Sequence, residues 1–233
     1  MNTAILITGQ YRPHVGNAKQ LIQNIIDIFK CEIFFHTWAD NVATTPIEFH
    51  NRLVYCAEPE VDYHPISDIE WVGKHGKWRN YKEKKLLYNK TQNANKQLIG
   101  YADLLNKIPD HIDMCIRTRW DMMVSSKVDF KPWIKHAYEN GPVGFMTRGN
   151  RKHDANKLIP LSEKAQNDKN DDWYGYLPDS LIMHRREHFD TSLVTKLHSE
   201  KNLAPAEWGF YQVMSEPYGD IHTSIHGGAH IAR

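Results

Sequence analysis

The opening of the chain constrains its fold more than any other segment. Thr3 to Thr8 is a short β-branched and apolar run that meets a turn at Gly9-Gln10-Tyr11-Arg12-Pro13. From Gly16 to Phe29 the apolar residues Ala18, Leu21, Ile22, Ile25, Ile26 and Phe29 recur at steps of three and four, which is the pattern of an amphipathic helix. Cys31 to His36 is then an almost continuous apolar run, as expected of a strand buried on both faces. Parallel strands joined through a helix need a crossover, and such crossovers are right-handed. The expected fold is α/β: a mostly parallel twisted sheet flanked by helices, with functional loops at the carboxyl ends of the strands.

Later segments extend this pattern. Leu53 to Ala57 reads as a short strand, and Lys85 to Lys107 as a long helix with Leu87, Ala94, Leu98, Ala102 and Leu105 on its core face and Pro109 ending it. Pro142 to Met146 and Leu177 to His184 read as strands, and Ala206 to Ser215 as a helix. Arg148 to Asp172 is polar and aperiodic, so it reads as a mobile surface loop. Trp173, Tyr174 and Tyr176 beyond it would suit sugar stacking, or equally a solvated loop resting on a core edge. At 233 residues and 41% hydrophobic content, a single domain with polar insertions accounts for the whole chain.

Charge and cysteine usage narrow the function. Lys and Arg number 29 against 28 Asp and Glu, a net charge of +1 that gives no global reason to expect nucleic acid as a partner. Cys31, Cys56 and Cys115 are widely separated, form neither a disulfide framework nor a zinc motif, and read as ordinary thiols. No stretch approaches the length of a membrane span, and the first apolar run is too short for a signal peptide. The expectation is a soluble, cytoplasmic protein of a reducing compartment. The sequence is neutral on contact with a membrane surface, where a lipid-linked acceptor would be met.

Chemistry concentrates in Ile112 to Val124, read as one buried strand that presents Arg117, Arg119 and Asp121 on a single face, with successive spacings of roughly 6 to 7 Å. Met114, Ile116, Trp120 and Met122 take the opposite face. Burying three ionisable groups costs several kcal/mol unless they pair with each other or with a ligand. A diphosphate with a divalent cation suits them, since guanidinium forks match phosphate oxygens and a carboxylate suits a hard ion. A structural Arg–Asp ion pair is the alternative.

In order and spacing, Ile5-Leu6-Ile7-Thr8-Gly9-Gln10-Tyr11-Arg12, Ile33-Phe34-Phe35-His36-Thr37-Trp38-Ala39-Asp40 and Asp113 to Met122 resemble bacterial and viral proteins related to the WavE lipopolysaccharide-synthesis family, and through them the GT-A nucleotide-sugar transferases. Pro178-Asp179-Ser180-Leu181 and Pro205-Ala206-Glu207-Trp208-Gly209 are weaker echoes. The resemblance implies a Rossmann-like GT-A domain, with residues 1–130 as a nucleotide-binding half and 131–233 as an acceptor-side half. It also implies a nucleotide-diphospho-sugar donor and Mn²⁺ or Mg²⁺ held by an Asp-x-Asp element. Here that element is Arg119-Trp120-Asp121, which lacks the first aspartate and places an arginine where it could neutralise the diphosphate directly.

On this reading Thr8, Gly9, Gln10 and Arg12 hold the nucleotide, with Gly9 allowing close backbone approach. An ordinary β-to-α turn is the alternative for that loop. Asp40 would accept hydrogen bonds from ribose hydroxyls, or serve only as a solvated turn residue. Inverting transfer needs a carboxylate to take the acceptor proton, and Glu207 ranks ahead of Asp179 for that role; for Glu207, helix capping is the competing explanation. His226 or His230 would complete a metal shell around Asp121, although Gly227-Gly228 argues against the helix that would align the tail histidines. The expected activity is transfer of a sugar from a nucleotide diphosphate to a glycan or lipid-linked acceptor hydroxyl. A non-catalytic nucleotide-sugar or glycan-binding module and a metal-dependent hydrolase are the rival readings.

Overall fold

The structure, a computed structural model, describes residues 1–11, 18–63, 84–146, 156–160, 177–204, 206–219 and 221–231, except for the side chains of 18, 84–94, 146, 206, 207, 230 and 231. Strands β1 (Thr3–Thr8), β2 (Glu32–Trp38), β3 (Leu53–Cys56) and β4 (Met114–Arg119) are mutually parallel in the order β3-β2-β1-β4. The sheet continues through β8 (Leu181–Arg185), β6 (Val143–Met146), β9 (Thr223–His226) and β7 (Ile159–Pro160). Strand β8 runs antiparallel to both β4 and β6, β9 lies parallel to β6, and β7 is antiparallel to β9. The result is an α/β fold with an eight-stranded sheet, four of whose seven pairings are parallel.

Helix α1 (Ala18–Phe29) buries Leu21, Ile22 and Ile25, as its spacing predicts. Together with α3 (Lys131–Asn140) it covers one face of the sheet, over Ile5, Ile7, Phe35, Ile116 and Phe145. Helices α2 (Lys84–Leu105), α4 (Thr191–Ser199) and α5 (Ala206–Met214) cover the other, over Leu6, Cys115 and Ile182. Alternation along β4 deals Met114 and Ile116 to the first core and Cys115 to the second. Among the described residues, no helix is long and apolar enough to cross a membrane.

One expectation needs correction. The run Ile112 to Val124 is not a single strand: β4 ends at Arg119, the chain turns at Trp120-Asp121, and Met122–Val124 forms β5, which pairs antiparallel with β10 (Ala229–Ile231) outside the main sheet. The break follows from packing. The Trp120 ring stacks on Phe35 at 5.2 Å, meets Tyr11 edge-on at 5.1 Å and donates its indole N–H to the His36 carbonyl at 2.9 Å. These contacts hold the ring over the end of β2 and the loop after β1, past the edge of β4's own ladder. The tail is not helical, in agreement with the Gly227-Gly228 signal: the two glycines, both at positive φ, turn the chain from β9 into β10.

Of the polar loop Arg148 to Asp172, only residues 156–160 are described, and they end in β7 at the sheet edge. The aromatic residues Trp173, Tyr174 and Tyr176 lie outside the described residues.

Candidate functional site

The chain leaves β1 toward β2 on one side and later returns as β4 on the other, so the carboxyl ends of β1 and β4 flank a topological switch point. Thr8 and Arg119 are register partners there. Gly9 follows with φ +104°, a left-handed conformation that disfavours a side chain even though there is open space beside it. Thr8, Gly9 and Gln10 from β1, Trp38 and Glu58 beyond β2 and β3, Lys96 and Gln97 from α2, and Arg119-Trp120-Asp121 beyond β4 line one cleft.

Among the described residues, the three cations in and beneath this cleft, Lys96, Arg117 and Arg119, are matched by three carboxylates, Glu58, Asp121 and Asp179. Arg119 forks onto Asp121, with Nε to Oδ1 at 2.9 Å and Nη2 to Oδ2 at 2.8 Å. Lys96 meets Glu58 at 2.7 Å. Asp179, just before β8, places Oδ2 at 3.9 Å from Arg119 and 4.0 Å from Arg117. Arg117 itself is fully buried: it donates to the Asp179 carbonyl and to Gln97 Oε1 at 2.9 Å, and its guanidinium carbon lies 4.6 Å from the Phe210 ring centre. Burial lowers its pKa to about 10, partly offset by Asp179, so it remains a cation at neutral pH.

Two expected roles change on this geometry. Arg117 cannot touch a ligand in this arrangement, because it has no exposed surface; it supports the cleft from beneath. Asp179 is not an isolated carboxylate facing an acceptor but the anionic neighbour of two guanidiniums. Thr8, Gly9, Gln10, Arg119 and Asp121 do come together. Asp40 stands exposed on a 3₁₀ turn after β2 and is not part of the cleft lining. Arg12 lies outside the described residues. Glu207 belongs to the first turn of α5, three residues before Phe210, and its side chain is outside the described residues.

Of the proposed metal ligands, Asp121 and His226 are not brought together. His226 ends β9, three strands from β4, which at ordinary strand spacing is about 14 Å across the sheet. His230 pairs through its backbone with Met123, two residues past Asp121, and its side chain is outside the described residues. Both Asp121 oxygens already accept from Arg119, and Asp179 is flanked by two guanidiniums. A hard divalent ion takes an oxygen shell and repels neighbouring cations, so these residues as arranged do not fit Mn²⁺ or Mg²⁺.

A second cluster, unanticipated from the sequence, lies behind Trp38. His36 Nε2 is 3.5 Å from Cys56 Sγ and 3.6 Å from Asp103 Oδ2, and Lys107 Nζ reaches the same Asp103 oxygen at 2.8 Å. Burial, followed by the Asp103 charge, pushes the Cys56 thiol up to about 11. Burial would also raise the Asp103 pKa, but hydrogen bonds from His36 and Lys107 outweigh it and hold that carboxyl below its usual range.

No protein-family model matches the chain, and no curated protein matches it in sequence. Solved structures do. A 4-diphosphocytidyl-2C-methyl-D-erythritol synthase from Anaerococcus prevotii aligns over 97% of this chain and 87% of its own, with TM-score 0.56 and 9% identity. A protein from Bacillus anthracis assigned as a glucose-1-phosphate thymidylyltransferase aligns over 98% and 87%, with TM-score 0.50 and 10% identity. What this likeness establishes is the fold. The sheet and its flanking helices form a Rossmann-like α/β fold shared with these structures, and the likeness spans nearly the whole chain. TarS from S. aureus aligns over all of this chain and 60% of its own at TM-score 0.48 and 9% identity, too distant to add to that conclusion.

Proposed function

We propose that the chain is a glycosyltransferase that moves a sugar from a nucleotide-diphospho-sugar to the hydroxyl of a glycan or lipid-linked acceptor. The observation that carries this reading is the Arg119–Asp121 fork beside Thr8-Gly9-Gln10 at the switch point. A diphosphate offers the guanidinium the same paired oxygen acceptors as a carboxylate, so it can take the place of Asp121 on the Arg119 fork. The sheet type, one that in the similar structures belongs to nucleotide-handling enzymes, agrees with it.

In the proposed reaction the bond between the anomeric carbon and the diphosphate oxygen breaks and its electron pair stays on the diphosphate, where Arg119 meets the growing charge. Arg117 holds Asp179 and the β4 end in place from below. The acceptor oxygen bonds the anomeric carbon and its proton passes to Glu207, which ranks ahead of Asp179 because the latter already sits between two guanidiniums. Residues 1–130 form the donor half and 131–233 the acceptor half of this scheme.

A second reading, nucleotidyl transfer, is favoured by the two similar structures named above. The products separate the two. Incubation with nucleotide-sugar donors and a panel of glycan and lipid-linked acceptors should release a nucleoside diphosphate; release of pyrophosphate from a nucleoside triphosphate and a sugar phosphate would favour the second. Neither product, together with thermal stabilisation by nucleoside diphosphates, would indicate a binding module.

A further inference from the structure

We propose that His36, Cys56 and Asp103 form a zinc site that clasps β2 and β3 to α2 behind the cleft. Three elements deliver one ligand atom each, all within 4.8 Å of one another. His36 lies on β2 and faces α2, Cys56 ends the neighbouring β3 on the same face, and Asp103 projects from the last turns of α2. The approach of helix to strand depends on Gly100: a Cβ there would stand 2.7 Å from His36 Cε1 and 2.9 Å from Trp38 Cη2. Glycine one turn before Asp103 therefore lets the carboxylate come down onto the imidazole.

The distances fit the metal. Zinc–nitrogen and zinc–oxygen bonds of about 2.0 Å and a zinc–sulfur bond of about 2.3 Å, at tetrahedral angles, separate neighbouring ligand atoms by roughly 3.3–3.6 Å. The observed separations from His36 Nε2 are 3.5 Å to sulfur and 3.6 Å to oxygen. Imidazole with thiolate selects a borderline-soft ion over magnesium or calcium. Asp103 and Cys56 are only partly buried, so the fourth position opens toward solvent and Lys107. On binding, the Cys56 thiol gives its proton to solvent as the metal–sulfur bond forms, and the Lys107 ammonium yields its place on Asp103. The edge-on contact of His36 with Trp38, at 5.0 Å between ring centres, ties the clasp to the cleft wall.

The site stands whichever group-transfer reaction the cleft performs. Full-length protein stripped with a chelator and titrated with Co²⁺ should take up one equivalent and develop a thiolate-to-cobalt charge-transfer band, and Zn²⁺ should displace the cobalt. Zn²⁺ should also protect Cys56, but not Cys31, from alkylation read by peptide mapping of the unmodified sequence. Cys56→Ser should abolish the band and weaken Zn²⁺ binding at least about 100-fold, since even loss of an outer-shell partner costs 10- to 100-fold. Asp103→Asn should weaken Zn²⁺ binding while leaving the thiol in place, and Lys107→Met should tighten it up to about fivefold by removing the competing cation. No charge-transfer band, a band that persists in Cys56→Ser, or equal protection of Cys31 and Cys56 would overturn the proposal.

Discussion

The Arg117 guanidinium carbon lies 4.6 Å from the centre of the Phe210 ring on α5, while the Asp179 carbonyl and Gln97 Oε1 accept from its two terminal nitrogens. Arg119, two residues on, shares the strand face but emerges at the cleft and forks onto Asp121. Successive positions on one face of β4 thus carry the same side chain in different settings, one fully buried and one lining the cleft.

Substitution should separate them. Arg117→Met leaves the Asp179 carboxylate without its buried partner and should cost about 3–5 kcal/mol in chemical denaturation, with part of the loss recovered when Asp179→Asn is added. Arg119→Ala, at a partly exposed pair, should destabilise by less than Arg117→Met, about 1–3 kcal/mol, yet abolish thermal stabilisation by nucleoside diphosphates.

If Arg119 rather than a metal neutralises the diphosphate, Asp121 is a competitor for the same fork. Asp121→Asn should then bind a nucleoside diphosphate as tightly as the unmodified protein, or up to about fivefold more tightly, with EDTA present. Calorimetric titration checks this. Loss of binding in that variant would return Asp121 to the role of metal ligand.

Trp120 should prove a keystone of the cleft. Trp120→Ala removes ring contacts with Tyr11, Phe35 and Phe49 at once and should destabilise by about 3–5 kcal/mol, whereas Trp120→Phe forfeits the hydrogen bond to the His36 carbonyl for about 1 kcal/mol. Urea midpoints of the two variants give the comparison.

Acid sensitivity should trace in part to His184. Its Nδ1 faces the Arg185 carbonyl at 2.6 Å, which can only accept, so Nδ1 carries the proton and Nε2 accepts from the Tyr101 hydroxyl at 2.6 Å. Burial lowers its pKa to about 3, with the Arg185 hydrogen bond opposing. The unfolded chain protonates this residue near 6.5 while the folded one does not, so stability falls as pH drops from about 6.5 toward 3, by up to about 1.4 kcal/mol per pH unit. The variant His184→Gln should show a shallower decline in denaturation profiles between pH 7 and 5.

Much of the frame was readable from residue order. Strand β1 ends where Thr8 meets Gly9, helix α1 keeps its three-and-four spacing, and α2 buries Leu98, Ala102 and Leu105 on the face that the periodicity marks. Helices α3 and α4 were not anticipated. Both are short and polar, so a periodic stripe hardly develops, although Asp190 capping the N–H groups of Ser192 and Leu193 was a start signal open to reading. Within the site, the Arg–Thr–Arg–Trp–Asp run was legible as chemistry, but not which arginine would be buried, since that depends on Phe210 arriving from a helix far along the chain. The His36, Cys56 and Asp103 cluster left no trace in spacing at all: only strand order and the bare backbone at Gly100 bring those three together.

The one-to-one matching of cations and anions around the cleft bears on how fast a ligand arrives. Among the described residues no surplus charge projects outward from the cleft; on their account a diphosphate approaching from solution feels little pull until it is at the mouth, and arrival should proceed near the unsteered rate of about 10⁵–10⁶ M⁻¹s⁻¹. Raising ionic strength should therefore slow its capture only slightly. On the proposed function, residence rather than encounter would then be the quantity through which a diphosphate is told from simpler anions.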